Sequence, residues 1–296
     1  MGTYDNCYDI VADIRRGMNE YSVGKMQATD TSGAHLNEEL ISNANKAQRH
    51  LHAILFRRIP HEFLESASVV GVDSVFTLPW DFGIVRRFAD ENGHKVGRVG
   101  VDDRPTATGA GSLREYYRKG NTLILTRSGC TQTYTLWYWR MPRDLTMGMS
   151  SAGGALSITL ATSAKKLVDY YNGMKIENIT DDWVDTISDY TVARVATIGT
   201  ETGAASKYYG IVSDLPEPFH FLISQLAIMI TKGINPVSQE EPGNMEAKLF
   251  QIALNDTLLA FAGGDVDVLS EDMWCDFDPG GGGGINIPEQ GYTIHG

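Results

Sequence analysis

Apolar residues recur at helical spacing near both ends of this chain and alternate through its middle. After Thr3, which can cap a helix, Cys7, Ile10, Val11, Ile14, Met18 and Tyr21 mark one face of a first helix. A stronger stripe follows in "HLNEELISNANKAQRHLHAILFRRIP". Leu36, Leu40, Ala44, Ala47, Leu51 and Ile54/Leu55 are spaced by 4, 4, 3, 4 and 3, and Pro60 ends the run. Helical spacing returns in "SDLPEPFHFLISQLAIMITKG", where Phe219, Leu222, Ile223, Leu226, Ala227 and Ile230 form the stripe. A last helix, "NMEAKLFQIALNDTLLAFAGG", is closed by Gly263-Gly264.

Between these ends the period shortens to two. "SVFTLPWDF" reads as a strand stopped by Pro79, and Asn92-Gly93 gives a turn signal between apolar runs. In "TLILTRSGCTQTYTLWYWRMP", Leu123/Leu125 and Tyr134/Leu136/Tyr138 alternate around Ser128-Gly129. That pattern predicts a hairpin ended by Pro142. Residues 156 to 213 hold the short strands "SITLA", "GMKIENI", "VDTISDY" and "ARVATIG", which suggest a small antiparallel module. The last 32 residues have no helical period, and five consecutive glycines, Gly280 to Gly284, do not suit a regular element. They predict a flexible hinge carrying an extended arm, with Ile285, Ile287, Tyr292 and Ile294 as its contacts.

Two amphipathic helices at each end cannot bury their stripes alone, so the economical plan is one bundle made from both ends. The expected fold class is α+β. It comprises a bundle of N- and C-terminal helices (1–67 and 214–264), an inserted antiparallel β-hairpin region (68–150), a small β-module (151–213) and a C-terminal arm (265–296).

Composition narrows the function. The 296 residues are 42% hydrophobic, enough for a packed core, and carry a formal charge of −12. Tight binding of nucleic acid needs a basic patch to neutralise phosphates, and no basic run occurs. Cys7, Cys130 and Cys275 are far apart and odd in number, which reads as free thiols in a reducing compartment. No signal peptide and no apolar run of membrane-spanning length is present, so the expectation is a soluble protein made in a cytoplasm, with no membrane contact.

Candidate chemistry is sparse. His50 and His52 lie about 200° apart on a helix and cannot share a metal. The sequence has no GxSxG motif, and Gly109 and Gly111 lack the strand and GK[ST] of a phosphate loop. Neither a cofactor, a metal nor a catalytic residue is expected. The richest stretch is "DYYNGMKIENITDDWVDTISDY", residues 169 to 190. Asp181, Asp182 and Asp185 with Trp183 and Tyr171 suit a sugar site, where carboxylates and stacking rings meet. The same residues suit acidic turns around a small β-module, with Asn172-Gly173 and Thr180-Asp181 as turns.

An ordered series of segments resembles the head-to-tail adaptor (neck or connector) proteins of short-tailed bacteriophages. They are "ISNANKAQRHLHAILFRRIPHEFLESASVVGVDSVFTLPWDFGIVRR", "EYYRKGNTLILTRSGCTQTYTLWYWRMPRDL" and "LPEPFHFLISQLAIM". A Tyr-x-Gly-Met strand, an Ile-x-Asp-Tyr strand and "ARVAT" are similar to a β-module that recurs in phage virion proteins. The resemblance covers most of residues 4 to 262 and leaves out the glycine-rich tail. It implies a structural, non-enzymatic protein of the virion neck, made in the host bacterium. In that family a ring, commonly of twelve subunits, joins the portal protein to tail or nozzle proteins. DNA passes through the lumen without sequence-specific binding. Tyr171 and Trp183 would then be tail-facing or inter-subunit contacts, and the arm would reach a neighbour or the portal. The alternative is a glycan-binding or glycan-cleaving tail component.

Overall fold

The computed structural model describes residues 6–18, 37–99, 115–126, 129, 131–234 and 245–261. Among these the chain is mostly β, with thirteen strands in three sheets and four α-helices. This corrects the expected α+β plan of a helical bundle with β inserts. The reason is physical. A helix advertises itself over many residues, whereas strands as short as Gly97–Arg98 or Met147–Met149 show no alternation of their own. Such strands become visible only once they are paired.

The helices are α1 (Cys7–Gly17), α2 (Asn37–Arg58), α3 (His220–Thr231) and α4 (Met245–Phe261). α1 begins at Asn6 instead of Thr3, which lies outside the described residues. The Asn6 side-chain oxygen accepts from the N–H groups of Tyr8 (2.8 Å) and Asp9 (3.1 Å). α2 carries Glu38 and Glu39 in its first turn and Arg57 and Arg58 in its last, each matched to the helix dipole. Its stripe of Leu40, Ala44, Ala47, Leu51 and Leu55 is fully buried. Pro60 then opens a 3-10 turn, Pro60–Phe63. A second such turn, Glu217–Phe219, leads into α3. All four helices and Phe63, Leu145 and Met147 share one apolar core.

Seven strands form a two-sheet sandwich. One sheet has β7 (Thr133–Arg140) between β1 (Leu64–Val70) and β3 (Phe82–Ala89), both antiparallel to it. The other runs β2 (Val75–Thr77), β6 (Thr122–Leu125), β5 (Glu115–Lys119), β4 (Gly97–Arg98). Phe76, Phe88, Tyr116, Leu123, Tyr134 and Leu136 meet between them. The expected β6–β7 hairpin does not form, because the two strands belong to different sheets; β6 pairs with β5 around Gly120-Asn121. Alternation correctly marked the inward faces of both strands. It carries no information about which neighbour supplies the hydrogen bonds.

The remaining six strands are β8 (Met147–Met149), β9 (Ala152–Thr159), β10 (Lys175–Asn178), β11 (Trp183–Tyr190), β12 (Val195–Thr202) and β13 (Tyr208–Ile211). Their order is β8-β13-β10-β11-β12-β9, antiparallel throughout. The two edge strands are joined by only Ser150 and Ser151, so the sheet curls into a half-barrel around Ile176, Ile187, Tyr190, Ile198 and Tyr209. β8 extends it upstream of the module boundary expected at residue 151.

Candidate functional surfaces

The acid- and aromatic-rich stretch 169–190 folds as two turns and two strands of the half-barrel. Asp169 (φ 61°) and Gly173 (φ 80°) hold the first turn, where the Asn172 amide donates to the Asp169 carboxylate at 2.9 Å. In the second turn Asn178 accepts from the N–H groups of Thr180 and Asp181, both at 3.0 Å, and Asp182 takes a positive φ of 54°. Lys207 pairs with Asp181 at 2.6 Å. Burial opposes ionisation of Asp185. The N–H groups of Thr200, Thr186 and Glu201, at 2.8, 2.7 and 3.1 Å, outweigh it and hold the carboxyl below the usual range. Asp181 and Asp185 thus hold turns and strands in place.

The rings are core. Tyr171 is 1% exposed and packs edge-on against Tyr190 and Tyr170, both at 4.9 Å. Burial pushes its hydroxyl up, and that of Tyr190 to about 12. Tyr190 donates to the Lys165 carbonyl at 2.7 Å. Tyr171 is therefore corrected from contact residue to core residue, while Trp183 is half-buried against the same core. The two do not line one open patch of the kind a sugar needs.

Polar links fasten the half-barrel to its neighbours. Arg143 grips Asp214 with two nitrogens, both at 2.9 Å, and donates to the carbonyls of Tyr170 and Asn172. Trp80 donates its indole N–H to the Val168 carbonyl at 2.7 Å, tying the sandwich to the half-barrel. A cleft of about 410 Å³ between α2 and the half-barrel is lined by Lys46, Arg49, Lys165 and Asp144 among others. Asp144 pairs with both Arg49 and Lys165, and with Glu38 it sets two carboxylates against three cations along the cleft. His52 is buried, with its Nε2 3.0 Å from the Arg140 carbonyl, and burial lowers its pKa. Among the described residues no group of three His, Cys, Asp or Glu side chains could hold a metal. No described helix is long and apolar enough to cross a membrane.

Two surfaces escaped the sequence reading. The first is the outer face of the β1–β7–β3 sheet. β3 contains "IVRRFA", which in strict alternation would turn one arginine inward. A β-bulge between Val85 and Arg87 prevents this. Arg86 and Arg87 are both exposed, with their guanidinium carbons 5.8 Å from the ring centre of Trp139 and 5.0 Å from that of Trp137. Leu64 and Ile84, each opposite Trp139, flank them and are exposed. The second surface is α4. One stripe, Ala247, Phe250 and Leu254, is buried. Another, Met245, Leu249, Ile252 and Leu259, is more than half exposed at every position. The consecutive arginines and the all-round apolar helix were the available signals.

The proposed arm contacts Ile285, Ile287, Tyr292 and Ile294, the glycine run and Gly263-Gly264 lie outside the described residues. No family model matches the chain, and no curated protein matches it.

Proposed function

We propose that this chain is a structural virion protein, a head-to-tail adaptor whose copies form a ring joining portal to tail, with DNA passing through the lumen. The carrying observation is the exposed stripe of α4. A helix that is apolar on two faces and covered on only one leaves a surface that favours a protein partner. The sequence resemblance to short-tailed phage adaptors supplies the kind of assembly. The formal charge of −12 suits a conduit past which DNA moves without being held.

Native mass spectrometry and negative-stain imaging of the full chain, alone and with its cognate portal protein, test this reading. Rings, either free or formed on portal, are the expected outcome. A chain that stays monomeric under both conditions refutes it.

A further inference from the structure

We propose that the exposed stripe of α4 in one subunit packs against the arginine–tryptophan face of the β1–β7–β3 sheet in the next. This deepens the adaptor reading and rests on it. Leu249, Ile252, Asp256 and Leu259 follow one another at spacings of three, four and three, with Met245 four residues earlier. The stripe is therefore a single seam with a carboxylate inside an apolar row. The sheet face is its chemical counterpart, with exposed Ile84 and Leu64 and half-buried Trp137 as the apolar field and Arg86 and Arg87 as the cations, while Trp139, edge-on to Phe56 at the helical core, forms its inner margin. Tryptophan and arginine are the residue types that most often anchor protein contacts.

The occupant is a second copy of this chain. Among the described residues α4 packs on α3 and on the turn Glu217–Phe219, and makes no comparable packing with that sheet. Charge points the same way. Residues 64–140 carry ten Lys and Arg against eight Asp and Glu, whereas the whole chain stands at −12. The segment is mildly basic on an acidic chain, and Arg86 and Arg87 set two of its cations on this face, where they complement the carboxylate that a second copy brings. That excess is small for gripping a phosphate backbone, which weighs against nucleic acid as the occupant. Two different faces meeting head to tail give a heterologous contact, and such contacts close into rings when the rotation allows.

A charge swap tests the pairing in the full-length protein. Arg87→Asp and Asp256→Arg should each weaken self-association about ten-fold or more by sedimentation, and the double variant should recover to within about three-fold of the parent. A photo-crosslinking phenylalanine analogue at Leu249 should join to residues 64–140 of another copy. Single variants that associate like the parent, or a double variant no better than the worse single, overturn the proposal. So does a crosslink from Leu249 to residues 262–296 of its own chain, or tight binding of a single-stranded oligonucleotide that Arg87→Asp removes. Rings that persist in all variants remove this contact and leave the adaptor reading standing. A monomer under every condition, with and without portal, removes both.

Discussion

Replacing Asn6 by alanine separates the helical core from the half-barrel at one atom cluster. The Asn6 side chain is fully buried and does two jobs. Its oxygen caps α1 through the N–H groups of Tyr8 and Asp9. Its nitrogen donates to the Glu177 carboxylate on β10 at 2.7 Å and to Asp9 at 2.8 Å. Loss of an N-cap costs about 1 kcal/mol. Loss of a buried hydrogen bond to a charged acceptor costs about 1.5–3 kcal/mol, since Glu177, only 7% exposed, keeps its desolvation without its donor. Together Asn6→Ala should lower unfolding free energy by about 3 kcal/mol, which at a urea slope of about 3 kcal/mol/M is a midpoint shift of about 1 M. Asn6→Asp keeps the capping oxygen but sets a carboxylate against Glu177 and Asp9, so it should be destabilised at neutral pH and improve when Glu177→Gln is added. Urea unfolding followed by circular dichroism reads all three. A loss below about 0.5 kcal/mol for Asn6→Ala, the range of an ordinary surface change, would refute the reasoning.

Gly203→Ala should be among the most damaging small substitutions, because the added Cβ would overlap the Ser157 carbonyl oxygen, a backbone atom that cannot step aside. A cost of about 1–3 kcal/mol or more is expected from thermal or urea unfolding, and a neutral variant would contradict the close approach there. His52 should titrate below the ordinary histidine value of about 6.5 in an imidazole NMR titration, since burial disfavours its charged form. With the folded pKa lowered, the His52 contribution is fully present above the unfolded pKa and is lost as pH falls through the folded one. A His52 titration at or above the ordinary value would show that the ring is not desolvated as the structure has it.

The helices were legible because each repeats its signal. Leu40, Ala44, Ala47, Leu51 and Leu55 announce α2 and are all fully buried. The inward faces of strands were legible for the same reason, as Tyr134, Leu136 and Tyr138 illustrate. Pairing was not, because any two alternating strands satisfy the same pattern. Only the tertiary core decides that β6 joins β5 and β2 while β7 joins β1 and β3. The balance of the fold was misjudged through that gap: strands too short to alternate, such as β4 and β8, complete two sheets that outweigh the helices.

The stretch 169–190 shows that composition alone offers two readings, a sugar site or acidic turns around a core, and that the partners of each group decide between them. Its carboxylates looked available for chemistry, yet Asp185 is occupied by three backbone N–H groups and Asp181 by Lys207. Its rings looked like a stacking surface, yet Tyr171 and Tyr190 fill the half-barrel. A carboxylate or an aromatic ring can serve a ligand only with what its own fold leaves unused. The opposite error hid surfaces that stay exposed. Arg86 and Arg87 read as an unremarkable strand until a one-residue bulge, invisible in the sequence, sets both over tryptophans on one face. α4 read as one more amphipathic helix with a single stripe to bury, until a second apolar stripe was found exposed. The informative residues of this chain are therefore the large apolar ones that stay exposed in the monomer, Leu249, Ile252 and Leu259 on α4 and Ile84 and Leu64 on the sheet, and the proposed contact between copies is built on them.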